Sequence, residues 1–182
     1  MTLPFLTIGH SNRSIGTFVD LLREAQVELL LDIRKIPMSR ANPQFNKSEL
    51  PGALQAFQIA YEHIAALGGL RGKAGTLPAE ANGFWTNQSF HNFADYALSE
   101  QFHAGLERLI EAGQERRAAI MCSEAVWWRC HRRIVADYLI AGGQTVFHIM
   151  GLGRIEPAHL TAGAVVQSNG TILYPVSRGI GA

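Results

Sequence analysis

The chain has 182 residues, 47% of them hydrophobic, and a formal net charge of +1. That length and apolar content suffice for one good core, so a single α/β domain over residues 1–182 is the expectation. A near-neutral chain has no global field drawing it to nucleic acid or to a membrane surface, so electrostatic attraction must come from local patches.

The opening segment "MTLPFLTIGHS" has no basic stretch, and Pro4, Gly9 and His10 interrupt its apolar run. It reads as neither a signal peptide nor a membrane span, since no stretch approaches the ~18 apolar residues a span needs. No membrane association and a cytoplasmic location are therefore expected, where Cys122 and Cys130 are read as thiols rather than a structural disulfide.

"FLTIG" (5–9) predicts a buried strand. After "HSNR", residues 14–27 place Ile15, Phe18, Val19, Leu22 and Ala25 on one helical face. Ser14 or Thr17 supplies the N-cap, and Thr17 with Asp20 fits a capping box. "ELLLDIR" (28–34) predicts a second buried strand, "KIPMSRANPQFNKSEL" a loop, and residues 48–57 a helix. "IAYEHI" reads as a short third strand, and glycine-rich 68–89 as a long irregular segment of the kind that carries function. Residues 90–113 are helical with a break near Ser99, "AAIMC" (118–122) is a strand, 127–141 a helix, and "QTVFHIMG" (144–151) a strand. "GTILYP" adds one more strand near the C-terminus.

This alternation predicts a three-layer α/β domain with a mainly parallel, Rossmann-like, doubly wound sheet, and it admits an antiparallel edge strand near the C-terminus. Ligands in such sheets bind beyond the carboxyl ends of the strands, where strand order reverses. The strand ending at Gly9 is expected beside the one ending at Cys122, with the one ending at Arg34 next to them. Three loops then converge: "GHSNR", "DIRKIPMSR" and "CSEAVWWRCHRR".

For a helix starting near Trp127, a step of about 100° per residue groups Trp128, His131, Ile134, Val135, Tyr138 and Leu139 on one face. Cys130 and Arg132 flank that face, and Arg129 and Arg133 point away from it. His131 is then either a core histidine on a strand-end carbonyl or a site residue near the positive helix N-terminus.

Several sharp motifs fail. A tyrosine-phosphatase loop needs five residues between Cys and Arg; six separate Cys122 from Arg129, and Glu124 would stand where phosphate sits. A rhodanese-like sulfur carrier meets the same objection. Zinc would need Cys122, Cys130, His131 and His10 together, without any CxxC pair, and a redox pair lacks that spacing too. "GLRGKAG" is not a phosphate loop, and "GLGRIE" lacks the third glycine of a dinucleotide fingerprint. No metal and no cofactor is called for.

What survives is a carboxylate-and-arginine pocket. Glu124, just past a strand end, is the candidate acid, base or nucleophile, with His131 as proton shuttle. His10, Ser11, Arg34, Ser39, Tyr61 and Arg132 are candidate substrate-binding residues, the serines and arginines for an anion. Asp32 and Arg34 share a strand side, where they form either this clamp or an internal ion pair. Asp32, Cys122 and Cys130 are taken as structural.

The elements "TIGHS", "DIRKIPMSR" followed by a phenylalanine, Tyr61 with "LGG", and "MCSE" followed by "CHRR" resemble the domain of unknown function 488 family over roughly residues 6–151. The resemblance implies an α/β three-layer fold and no settled activity. The motif positions it carries over are His10, Ser11, Asp32, Arg34, Pro37, Ser39, Phe45, Tyr61, Gly68, Cys122, Glu124, Cys130, His131 and Arg132. The loop Ser123–Arg129, with paired tryptophans, is this sequence's own elaboration.

The leading functional expectation is an enzyme of hydrolase or group-transfer type with a small anionic or nucleotide-like ligand. The alternatives are a nucleic-acid-binding or modifying module, with Trp127, Trp128, Phe45, Phe84 and Trp85 stacking bases, or a non-catalytic ligand-sensing domain. In the nucleic-acid reading Arg40, Lys47, Arg129 and Arg133 would meet phosphates. Sequence carries no signal for the oligomeric state.

Overall fold

The computed structural model describes residues 2–176. Its main sheet has the order β3-β2-β4-β1-β5-β6, built from β1 (Phe5–Gly9), β2 (Leu29–Asp32), β3 (Ala60–His63), β4 (Ala118–Cys122), β5 (Val146–Gly151) and β6 (Arg154–Pro157). All pairings are parallel except β5 with β6, which closes the edge antiparallel. The expected adjacency holds: β4 lies between β1 and β2.

Helices cover both faces. α1 (Ile15–Glu24) and α2 (Leu50–Gln55) pack Phe18, Leu22 and Leu54 on Leu6, Ile8 and Leu30. On the other face α3 (Gln88–Tyr96), α4 (Glu100–Glu115) and α5 (Arg132–Ala141) pack Phe93, Phe102, Leu109 and Ile134 on Phe5, Leu31 and Ile120. Strands buried on both sides need apolar residues at consecutive positions, which is why "FLTIG", "LLL" and "AAIM" carry no polar alternation beyond Thr7.

Caps set the helix starts. Ser14 Oγ accepts the Thr17 N–H at 3.1 Å, which makes Ser14 the N-cap of α1. Ser99 caps α4 and thereby breaks the helical run 90–113 in two. No helix among the described residues is long and apolar enough to cross a membrane.

The antiparallel edge strand expected near the C-terminus is β6, and "GTILYP" contributes β8 (Ile172–Leu173) to a separate two-stranded antiparallel sheet with β7 (Val165–Val166). One element differs from expectation. The expected helix 127–141 begins at Arg132: Trp127–Arg129 form a 3-10 turn, and Cys130 is extended (φ −126°, ψ 146°). The periodicity of Ile134, Val135, Tyr138 and Leu139 was sound, but it could not see that the preceding turn winds differently.

The chain leaves β1 for β2 on one side and leaves β4 for β5 on the other, passing over opposite faces. The reversal opens a crevice at the carboxyl ends of β1 and β4.

Candidate functional site

Side-chain alternation assigns each strand-end residue to a face. On β4, Ala118 and Ile120 face α5, so Cys122 does too; on β1 the same side carries Phe5 and Thr7. His10 and Asp32 continue the opposite side, where Leu6, Ile8 and Leu30 meet α1.

Gly9 lets these ends close up. A Cβ there would collide with the Glu124 carbonyl, so only glycine allows the two backbones to meet. The loop after β1 is then stitched to the loop after β4 by His10 N–H to Cys122 O and Ser11 N–H to Ser123 O, both 2.9 Å. Ser11 adopts a left-handed conformation (φ 50°) to make this turn.

On the α1 side, Asp32 is fully buried and receives Arg34 as a fork: Nε to Oδ1 at 2.9 Å and Nη2 to Oδ2 at 2.7 Å. Arg34 Nη2 also donates to the Phe45 carbonyl at 2.7 Å, and Tyr61 Oη–H donates to Asp32 Oδ2 at 2.5 Å. Burial and the adjacent Asp32 carboxylate push the Tyr61 phenol up. His10 stacks on Phe45 (4.5 Å between ring centres), and its Nδ1–H donates to the Ser11 carbonyl at 2.7 Å. Its Nε2 therefore accepts from Arg34 Nη1 at 3.3 Å. Burial lowers the His10 pKa. Asp32 and Arg34 thus form the internal ion pair, with Arg34 Nη1 left at the crevice.

On the α5 side the loop after β4 folds back through its 3-10 turn, and the sulfurs of Cys122 and Cys130 meet as a disulfide pair with Cα atoms 7.3 Å apart. This corrects the expectation of separate thiols. The spacing gave no warning because it is the 3-10 turn Trp127–Arg129, not a CxxC helix entry, that brings Cys130 home. Arg132 has no solvent exposure at all. Its Nη1 donates to Cys122 Sγ and to Glu124 O (both 2.6 Å), Nη2 to Ala125 O (3.2 Å) and Nε to Thr7 Oγ1 (3.3 Å). It is therefore no substrate clamp, contrary to expectation: the helix starts five residues late, and that phase turns Arg132 inward beneath the sheet edge.

His131 precedes α5, half-buried against the Phe93 edge (4.9 Å). Its Nε2–H donates to Ile33 O at 3.0 Å, which leaves the Nδ1 lone pair facing Cys130 Sγ at 3.6 Å. Burial, with Arg132 adjacent, pushes the ring down to about 4. Thr7 Oγ1 also meets His148 Nδ1 at 2.6 Å, and His148 stacks on Trp127 (4.7 Å). Thr7 and His148 escaped the sequence reading. Their signal was a polar residue in each of two buried strands at paired register positions.

Between the two sets lies a cleft of about 720 Å³. His10, Ser11, Arg34, Ser39, Cys122, Glu124, Cys130 and His131 line it, and Lys35 and Arg129 add cations. Tyr61 and Arg132 lie behind the wall, hydrogen-bonded to Asp32 and to Cys122. Glu124 is exposed at the rim, and its carboxylate has no hydrogen bond or ion pair among the described residues. The expected confinement between basic groups is not met: Arg132 is engaged with the Glu124 backbone carbonyl, not its carboxylate. Ile36, Met38 and Leu70 (59%, 71% and 76% exposed) form an apolar lip.

Of the aromatics considered for base stacking, Phe45 and Trp85 are buried and Trp127 is taken by His148. Arg133 lies over Trp85 and donates to Thr161, so it is not free for phosphate. Among the described residues no group of three or more His, Cys, Asp or Glu side chains is placed to hold a metal.

The family described as Domain of unknown function DUF488 matches residues 14–139, so the chain belongs to it. No curated protein and no solved structure matches the chain.

Proposed function

We propose that this DUF488 protein is an enzyme of hydrolase or group-transfer type whose ligand is a small anionic or nucleotide-like molecule seated in the cleft at the carboxyl edge of the sheet. One observation carries this reading. Arg34, Lys35 and Arg129 line the cleft, while Glu124 is the only carboxylate among its described lining residues. Asp32 offsets Arg34 from behind, and the surplus falls at the mouth. Ser11 and Ser39 supply hydroxyls, and the lip of Ile36, Met38 and Leu70 suits an apolar or aromatic body on the ligand.

Group transfer is the better supported of the two chemistries, since the floor of the cleft carries two sulfurs, nucleophiles once reduced. Glu124 at the rim is the solvent-facing acid/base, and His131 orients and exchanges a proton inside. A cytoplasmic setting, where thiols are kept reduced, fits this use of the cysteines.

The test is a thermal melt at low salt with inorganic phosphate, sulfate and nucleotides. A ligand at a hundredfold excess over its Kd stabilises by about 2.7 kcal/mol. A rise in Tm is expected for wild type and should be lost when Lys35→Ala and Arg129→Ala are combined. Absence of any anion-dependent rise would remove the anionic ligand from the reading.

A further inference from the structure

Arg132 has no ion pair with a carboxylate among the described residues, yet it is the bulkiest of their fully buried side chains. Its donors meet two carbonyls, one hydroxyl and the Cys122 sulfur. A buried cation surrounded by neutral acceptors is costly. Of the groups it touches, only the Cys122 sulfur can become an anion. Cys130 has its own activating contacts: the Arg132 backbone N–H at the start of α5 reaches its Sγ at 3.4 Å, and the His131 Nδ1 lone pair faces it. Both sulfurs line the cleft.

The groups touching this pair are Arg132 at the start of α5 and His131 just before it, and Glu124 from the loop after β4 lines the same cleft. His10 and Arg34 stand across the cleft. Of these groups the Arg132 guanidinium is the cation in contact with a sulfur, and that contact favours thiolate over thiol at Cys122.

We propose that Cys122 and Cys130 are a redox-active pair, with Cys122 the nucleophilic thiolate held by Arg132 and Cys130 the resolving thiol, and that their substrate is a small anionic disulfide. The substrate class rests on the anion-binding reading of the cleft; the reactivity of the pair does not. The Cys122 thiolate attacks one sulfur of the substrate disulfide, which forms a mixed disulfide and expels one substrate thiolate. The proton of Cys130 passes through His131 Nδ1 to that thiolate. The Cys130 sulfur then attacks Cys122, closes the Cys122–Cys130 bond and expels the second substrate thiolate. Two protein thiols are oxidised, one disulfide is reduced to two thiols, and the electrons balance. The fold brings the two sulfurs together, as closure of the pair requires.

Three readouts test this on the full chain. Alkylation of reduced wild type by iodoacetamide should be half-maximal below about pH 7, against about 8.5 for an ordinary thiol. Cys122→Ser should remove that phase, and Arg132→Lys should raise its midpoint. A wild-type midpoint at the ordinary value would overturn the thiolate. Oxidised glutathione should convert wild type to the intramolecular disulfide and stop Cys130→Ser at a glutathione adduct on Cys122. Thiols left untouched, or an adduct found only on Cys130 in Cys122→Ser, would overturn the assignment. Finally, uncharged bis(2-hydroxyethyl) disulfide should react more slowly than oxidised glutathione; equal rates would overturn the anionic substrate. Cys122→Ser should keep its phosphate-dependent rise in Tm, so loss of exchange and loss of anion binding are read separately.

Discussion

At the scale of single residues, the same polar letters take opposite roles according to burial. Glu124 and Arg132 were read as partners in one pocket; the structure exposes the first and buries the second completely. Glu124→Gln should therefore leave stability within about 0.5 kcal/mol of wild type. If Glu124 is the acid/base, turnover with an anionic substrate should fall by about 10²-fold. Unchanged turnover in that variant would reduce Glu124 to a rim charge. The histidines make a second prediction. His131 and His148 are each pushed from 6.5 down to about 4, chiefly by burial. A histidine whose folded pKa is depressed binds its proton more readily when unfolded. Its contribution is thus complete above 6.5 and is lost as the pH falls towards about 4. For His148, which is 3% exposed, the loss is on the order of 3 kcal/mol. Denaturant titrations across this window should show stability falling with acid, and less steeply in His148→Gln. An equal slope in both proteins would place the acid sensitivity elsewhere.

At the scale of elements, two of the buried strands were legible to the residue: "FLTIG" and "AAIMC" match β1 and β4 at both ends, while β2 occupies Leu29–Asp32 within the expected 28–34. Alternation along β4 also fixes that Cys122 faces α5. What sequence could not show was the turn Trp127–Arg129, held by Arg129 N–H to Val126 O and Cys130 N–H to Trp127 O. Such a turn has no hydrophobic period, and the start of α5, the inward face of Arg132 and the meeting of the cysteines all depend on it. The edge strand β6 was missed for a related reason: "RIEP" is mostly exposed, and proline ends it, so no alternation marks it. Gly9, by contrast, carries a plain expectation. Gly9→Ala places a Cβ against the Glu124 carbonyl, backbone against backbone, with no flexible side chain to yield. It should cost about 3 kcal/mol or more in urea unfolding. A near-neutral Gly9→Ala would mean the two loops do not close as described.

At the scale of the whole molecule, the sheet order creates the site. Because α1 and α5 cross opposite faces, the polar ends of β1, β2 and β4 meet only at the crevice between them. One wall, with His10 and Arg34, is backed by Asp32 and Tyr61, and the other, with the cysteine pair, is backed by Arg132, Thr7 and His148. Each wall is rigid, being buried and hydrogen-bonded, while the lip of Ile36, Met38 and Leu70 is exposed. Met38→Ser should consequently leave stability nearly unchanged and weaken a ligand with an apolar body; equal affinity would place that body away from the lip. The most direct test of the cleft as the functional site is an amide NMR titration of the protein with a nucleoside monophosphate at low salt. Saturable shifts are predicted at Ser11, Lys35, Ser39, Arg129 and His131, on both sides of the crevice. Shifts confined to another surface, or none at millimolar ligand, would contradict it.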